Sequence, residues 1–87
     1  SPDERVRAAA MYRALNHAAE KIREGEVVGH EMTEAREMLV EAGFVIDYVE
    51  ARHAETLERV ARRLDGPIRL LAAAKLGQTR LIDNIPV

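Results

Sequence analysis

Apolar side chains at Ala8, Met11, Leu15, Ala18 and Ile22 recur at spacings of three and four, which lays one stripe down an α-helix. The helix is expected to begin at the start of the chain, with Ser1 at the N-cap, Pro2 at N1, and Asp3 and Glu4 behind it. Proline's missing N–H costs nothing at N1, both acids meet the positive end of the helix dipole, and Glu4 completes a capping box with Ser1. The pattern runs to about Glu24, where Gly25 lets the chain leave. A second helix is expected over 30–42, where Met32, Ala35, Leu39 and Ala42 repeat the three-four spacing. Gly43 stands where a left-handed residue closes a helix, and Phe44 is placed to fold back on Leu39 in a Schellman-type contact.

After Gly43 the period changes. Residues 45–51 are rich in β-branched and aromatic side chains and read as a strand interrupted by carboxylates. Residues 68–75 and 79–85 read as two more strands, joined through Gly77 and Gln78 in a tight hairpin. Alanine is a poor strand former, and residues 70–74 alone would read as helical; the hairpin reading sets that propensity aside. Between the first two strands, Leu57, Val60, Ala61 and Leu64 share one helical face, so a short helix is expected over 55–64, ended by Asp65, Gly66 and Pro67. The expected fold is α+β: two N-terminal helices packed on a small three-stranded antiparallel sheet that ends in a β-hairpin. All 87 residues form one domain.

Composition narrows the function. A chain of this length buries roughly 60–65% of its unfolded surface, enough for a modest core. With 13 basic and 15 acidic residues no basic stripe can be drawn, and Tyr12, Phe44 and Tyr48 are the only aromatics, so nucleic-acid binding is not expected. The absence of cysteine removes disulfides, thiolate nucleophiles and cysteine-ligated zinc, and suits a reducing compartment. The longest uncharged apolar run, 70–74, falls far short of the roughly 20 residues a bilayer span requires. No signal-peptide pattern opens the chain, and a cytoplasmic location is expected.

The chain offers little recognisable chemistry. His17, His30 and His53 make no helical pair at i, i+3 or i, i+4, and His30 with Glu34 supplies only two ligands, so no metal site is expected. Glu20, Arg23 and Glu24 lie at helical contact spacings and read as a solvated charged face. No nucleophile elbow or Ser/His/Asp set is present, and the five glycines are too dispersed to cradle a phosphate. No catalytic residue is therefore assigned. One segment stands apart: Arg80, Asp83 and Asn84 lie in a short, otherwise apolar strand, where polar groups must be paired or facing a partner. Either Arg80 and Asp83 sit on an exposed edge and satisfy one another or water, or the strand lines an interface with a further domain or its ligand.

The string Ala73-Ala74-Lys75-Leu76-Gly77-Gln78-Thr79-Arg80-Leu81-Ile82-Asp83-Asn84 resembles the closing pattern of the pantothenate synthetases, the pantoate–β-alanine ligases. Ile46-Asp47-Tyr48-Val49-Glu50 is similar to that family's first C-terminal strand, Thr56-Leu57 to a pair placed soon after it, and Ser1-Pro2-Asp3-Glu4-Arg5 to its capped helix. Arg52-His53 departs from the Arg-Asp common in the family.

The resemblance implies an ATP-dependent, AMP-forming ligase that condenses pantoate with β-alanine through a pantoyl adenylate, with magnesium. It implies that residues 1–87 are the C-terminal lid domain, and that the N-terminal nucleotide-binding domain, with its His-x-Gly-His motif, is the partner. His30 follows a glycine but lacks the rest of that motif. On this reading the chain alone is inactive and binds neither ATP nor Mg, and Arg80, Asp83 and Asn84 are interdomain or lid-facing residues. A chain that opens on a helix cap rather than methionine is expected to be an excised domain, whose uncovered apolar surface favours self-association. The alternative is a free-standing α+β protein-interaction module that binds through its sheet edge.

Overall fold

The computed structural model describes residues 2–60 and 66–87, for residues 3 and 4 the backbone alone. Helix α1 spans Pro2–Arg23, α2 Val28–Glu41, and three strands follow, β1 Val45–His53, β2 Ile68–Leu76 and β3 Thr79–Pro86. The strands lie side by side in chain order, antiparallel throughout. Two helices on one face of a three-stranded antiparallel sheet make the α+β arrangement that the sequence pattern predicts. The expected Ser1–Glu4 capping box lies outside the described residues.

Both helices stop as their glycines require. The Gly43 N–H donates to Val40 O and the Phe44 N–H to Leu39 O, each at 3.0 Å, the two bonds of a Schellman motif. Gly43 holds φ +97°, a left-handed conformation that a Cβ penalises. Phe44 and Leu39 are both buried. At the end of α1 the same pair of bonds recurs, from Gly25 to Ile22 O and from Glu26 to Lys21 O. The start of α2 is less conventional: Val27 at the N-cap offers no side-chain acceptor. The Glu31 N–H bonds Val27 O at 3.1 Å, so the helix starts two residues earlier than the spacing predicts.

The core lies between the helices and one sheet face. Met11, Leu15, Ala18 and Ile22 of the predicted α1 stripe are buried, with Leu39 from α2, Val49 from β1 and Leu70 from β2. Ala72 and Ala74 of β2 are completely buried in the same cluster, as is Ala19 of α1. Small side chains on strand and helix permit close approach, so packing overrides alanine's poor strand propensity.

The short helix expected over 55–64 is not found in its described part. Residues 54–56 form a turn, and the chain doubles back along β1 through a bridge between Arg59 and Arg52. Local side chain–backbone bonds outcompete the helix here. The His53 Nδ1 accepts N–H bonds from Glu55 at 3.1 Å and Thr56 at 3.3 Å, and Thr56 Oγ1 accepts one from Glu58 at 3.3 Å. Leu57 then takes φ +63°, which no α-helix accommodates. Residues 61–64 of the expected helix lie outside the described residues. The acceptor role of His53 is one that an aspartate carboxylate would fill equally well.

Gly66 crosses directly over the His53 ring with φ +137°, and a Cβ there would overlap the imidazole. Gly66→Ala is therefore expected to lower stability by about 1–2 kcal/mol, from backbone strain and a displaced turn. Urea unfolding followed by circular dichroism tests this; a variant as stable as the parent would show that the loop and ring separate freely.

Candidate functional site

The sheet has one face against the helices and one open face, and strand alternation decides what each presents. Ile68, Leu70, Ala72, Ala74 and Leu76 of β2 point into the core, so Arg69, Leu71, Ala73 and Lys75 point away from it. Across β2–β3 the register pairs Lys75 with Arg80, Ala73 with Ile82 and Leu71 with Asn84, which places Arg80, Ile82 and Asn84 on the open face. Asp83 pairs with buried Ala72 and shares the helix side with Ile85. The strand thus brings Arg80 and Asn84 together on one surface and sends Asp83 to the other.

On β1 the register shifts between Ile46 and Tyr48, leaving Asp47 as the extra residue of a β-bulge. The bulge aims the Asp47 carboxylate across the sheet, and Arg80 Nε donates to its Oδ2 at 2.9 Å. Arg80 therefore pairs with Asp47, two strands away, and not with Asp83. Both partners are about half exposed, and such a pair is worth about 0–1 kcal/mol. Arg69 Nε donates to Asn84 Oδ1 at 2.8 Å, and the Asn84 N–H donates to Asp83 Oδ1 at 2.9 Å. Arg52 places Nε and Nη2 on one Glu50 oxygen, at 2.9 and 2.6 Å, and is less exposed than Arg80.

These contacts define the surface. Arg52, Arg69, Lys75 and Arg80 stand against the carboxylates Asp47 and Glu50, so the open face is positive although the whole chain carries −2. It also exposes Val45 at 72% and Ile82 at 62%, while Ala73 at its centre is sealed without belonging to the core. At the β1 edge a cleft of about 520 Å³ opens beside it, lined by Val28, Met32, Arg36, Glu50, Arg59 and Val60 among others. Arg36 Nη2 donates to Val49 O at 2.6 Å, tying α2 to the strand.

A second cluster lies between the helices. His17 of α1 meets Glu31 and Glu34 of α2, one donor atom from each lying within 4.8 Å of the others. Glu31 is 2% exposed and its Oε1 has no hydrogen-bond partner. Burial above all, then the Glu34 charge, raises the Glu31 carboxyl pKa from its ordinary value, and His30 opposes this. The sequence carried a signal for this residue: Glu31 stands three after Val28 and four before Ala35, on the apolar stripe itself.

Helices and sheet together define an α+β domain already seen within larger enzymes. The structure is similar to part of pantothenate synthetase from Thermus thermophilus, with a TM-score of 0.85 and 31% identity over 98% of this chain and 31% of that one. The profile of the family described as pantoate-beta-alanine ligase matches residues 1–86, and the chain belongs to that family. Pantothenate synthetase of Rhodopseudomonas palustris strain CGA009 is 53% identical over 87 residues, which are 100% of this chain and 31% of that protein. Pantothenate synthetase 2 of Bradyrhizobium diazoefficiens is 55% identical over the same shares. The chain spans less than a third of the length of these relatives. No helix among the described residues is long and apolar enough to cross a membrane.

Proposed function

We propose that this chain is the C-terminal lid of an ATP-dependent, AMP-forming ligase that joins pantoate to β-alanine through a pantoyl adenylate. The observation that carries the proposal is the match of the whole chain to under a third of proteins named pantothenate synthetase. Among the described residues, the open face does not suit ATP or magnesium by itself. The glycines are dispersed, and the open-face carboxylates Asp47 and Glu50 are already held by arginines. Nucleotide and metal are accordingly assigned to an N-terminal domain, and the isolated chain is expected to be inactive.

The chain's part is to cover. An acyl adenylate hydrolyses if water reaches it, and closing a rigid domain over the site excludes water. The open face suits that role, since its positive balance complements anionic carboxylate and phosphate groups, and Val45 and Ile82 supply apolar contact. Arg80 and Asn84 are the residues proposed to meet the N-terminal domain or its bound anion. Asp83 is proposed to act through Asn84, whose backbone N–H it holds.

Reconstitution tests the reading. The chain is mixed with a separately expressed N-terminal domain from the same source, and AMP release from pantoate, β-alanine and ATP is followed. The mixture is expected to exceed the N-terminal half alone by at least tenfold, and Arg80→Ala with Asn84→Ala to remove most of that gain. Asp83→Asn should have a smaller effect. Binding of the two halves without any gain in activity would overturn the lid role and favour an interaction module.

A further inference from the structure

The contact between α1 and α2 carries a feature that neither the core nor the open face uses. A carboxylate in an apolar interface is expensive unless paired, and Glu31 Oε1 is unpaired. Among the described residues, the groups that favour its ionised form are two imidazoles, those of His30 and His17. His30 is turned to Glu34, with Nε2 3.4 Å from Oε1, and is largely exposed. The interface thus gathers one buried carboxylate, a second carboxylate one helical turn along, and an imidazole from the facing helix, with no fixed cation among them.

We infer that His17, Glu31 and Glu34 bind a divalent transition-metal ion of the zinc type, with water in the remaining position, and so staple α1 to α2. One nitrogen and two carboxylate oxygens make a borderline donor set that suits Zn²⁺ or Co²⁺; Mg²⁺ and Ca²⁺ favour oxygen alone. Bonds of about 2.0–2.2 Å in a tetrahedral site place donor atoms roughly 3.4 Å apart. The present spread of up to 4.8 Å closes by small rotations of the His17 and Glu34 ends, with Glu31 fixed by burial. A cleft of about 240 Å³ lined by His17, Glu34, Glu37, Met38 and Glu41 gives the ion a way in. Its extra carboxylates, Glu37 and Glu41, raise the local cation concentration.

The test is a calorimetric titration of ZnCl₂ into the chelator-stripped 87-residue chain at pH 7.5, repeated with CoCl₂ by absorption spectroscopy. One site of micromolar or tighter affinity is expected, with cobalt bands of a four- or five-coordinate ion, and zinc should raise the melting temperature by several degrees. His17→Gln and Glu34→Gln change surface positions and should each weaken binding at least tenfold; Glu31→Gln should do the same, and His30→Gln should leave it unchanged. No binding at millimolar zinc overturns the assignment. So does binding that survives His17→Gln but is lost in His30→Gln, which would place the ion on the exposed His30–Glu34 pair.

Discussion

Leu15→Ala is expected to destabilise the chain by about 3 kcal/mol, the middle of the range for emptying a fully buried leucine site. Leu15 is 0% exposed and belongs to the cluster that joins α1 to Leu39 of α2 and Leu70 of β2. Deleting its branch removes apolar burial and leaves a cavity. One turn further along α1 stand Ala18 and Ala19, whose side chains are too short to fill the space. A domain of this size holds roughly 4–13 kcal/mol in all, so one methyl-bearing side chain decides a large fraction of it. The urea midpoint should fall sharply with an unchanged slope, read by circular dichroism. Val40→Ala on the exposed side of α2, where the side chain is 59% exposed, should change stability by no more than about 0.5 kcal/mol. Equal effects of the two substitutions would mean that the core does not lie where the stripe places it.

That stripe was readable because a helix and a strand impose different periods on the same alphabet. Met11, Leu15, Ala18 and Ile22 announce the buried face of α1, and Gly43 with Phe44 announces the end of α2, since few arrangements satisfy such spacings. The segment after β1 was not readable in the same way. Leu57 and Val60 fit a helical face, yet His53 and Thr56 capture the backbone donors first, and propensity holds no record of that competition. The open face was half readable. Arg80 and Asn84 stand out as polar residues in an apolar strand, but Asp47 becomes Arg80's partner only through a bulge, which depends on how β1 registers against β2. Asp83, one position from Asn84, falls on the other side because a one-residue step in a strand changes the face. Pairs within a helix can be counted from spacing, whereas His17 meets Glu31 only once two helices have packed. The apolar stripe could still have flagged Glu31, as a charged residue where the pattern asks for an apolar one.

Glu31→Met is expected to stabilise the metal-free chain by about 2 kcal/mol at pH 7.5, the scale on which a buried polar atom without a partner is penalised. Two effects oppose each other at this residue. Its place in the first turn of α2 sets the carboxylate near the positive end of the dipole, worth about 0.3–1 kcal/mol. Against that stand burial, then the Glu34 charge, which together hold the folded-state pKa above its ordinary 4.5. The folded chain therefore binds the Glu31 proton more tightly than the unfolded chain does. Stability falls as pH rises from about 4.5 through the raised pKa, and the penalty is complete above it. The advantage of Glu31→Met over the parent should thus be largest at pH 7.5 and shrink as the solution is acidified toward 4.5, in EDTA, by thermal unfolding. At about 2 kcal/mol the melting temperature should rise by roughly 8–16 °C. A loss of stability on substitution would show that the carboxylate finds a partner in solution. Saturating zinc supplies a further discriminating arm: it raises the parent and not the variant, so the gap narrows or reverses. A carboxylate kept for helix stability alone would give the same difference with or without the ion.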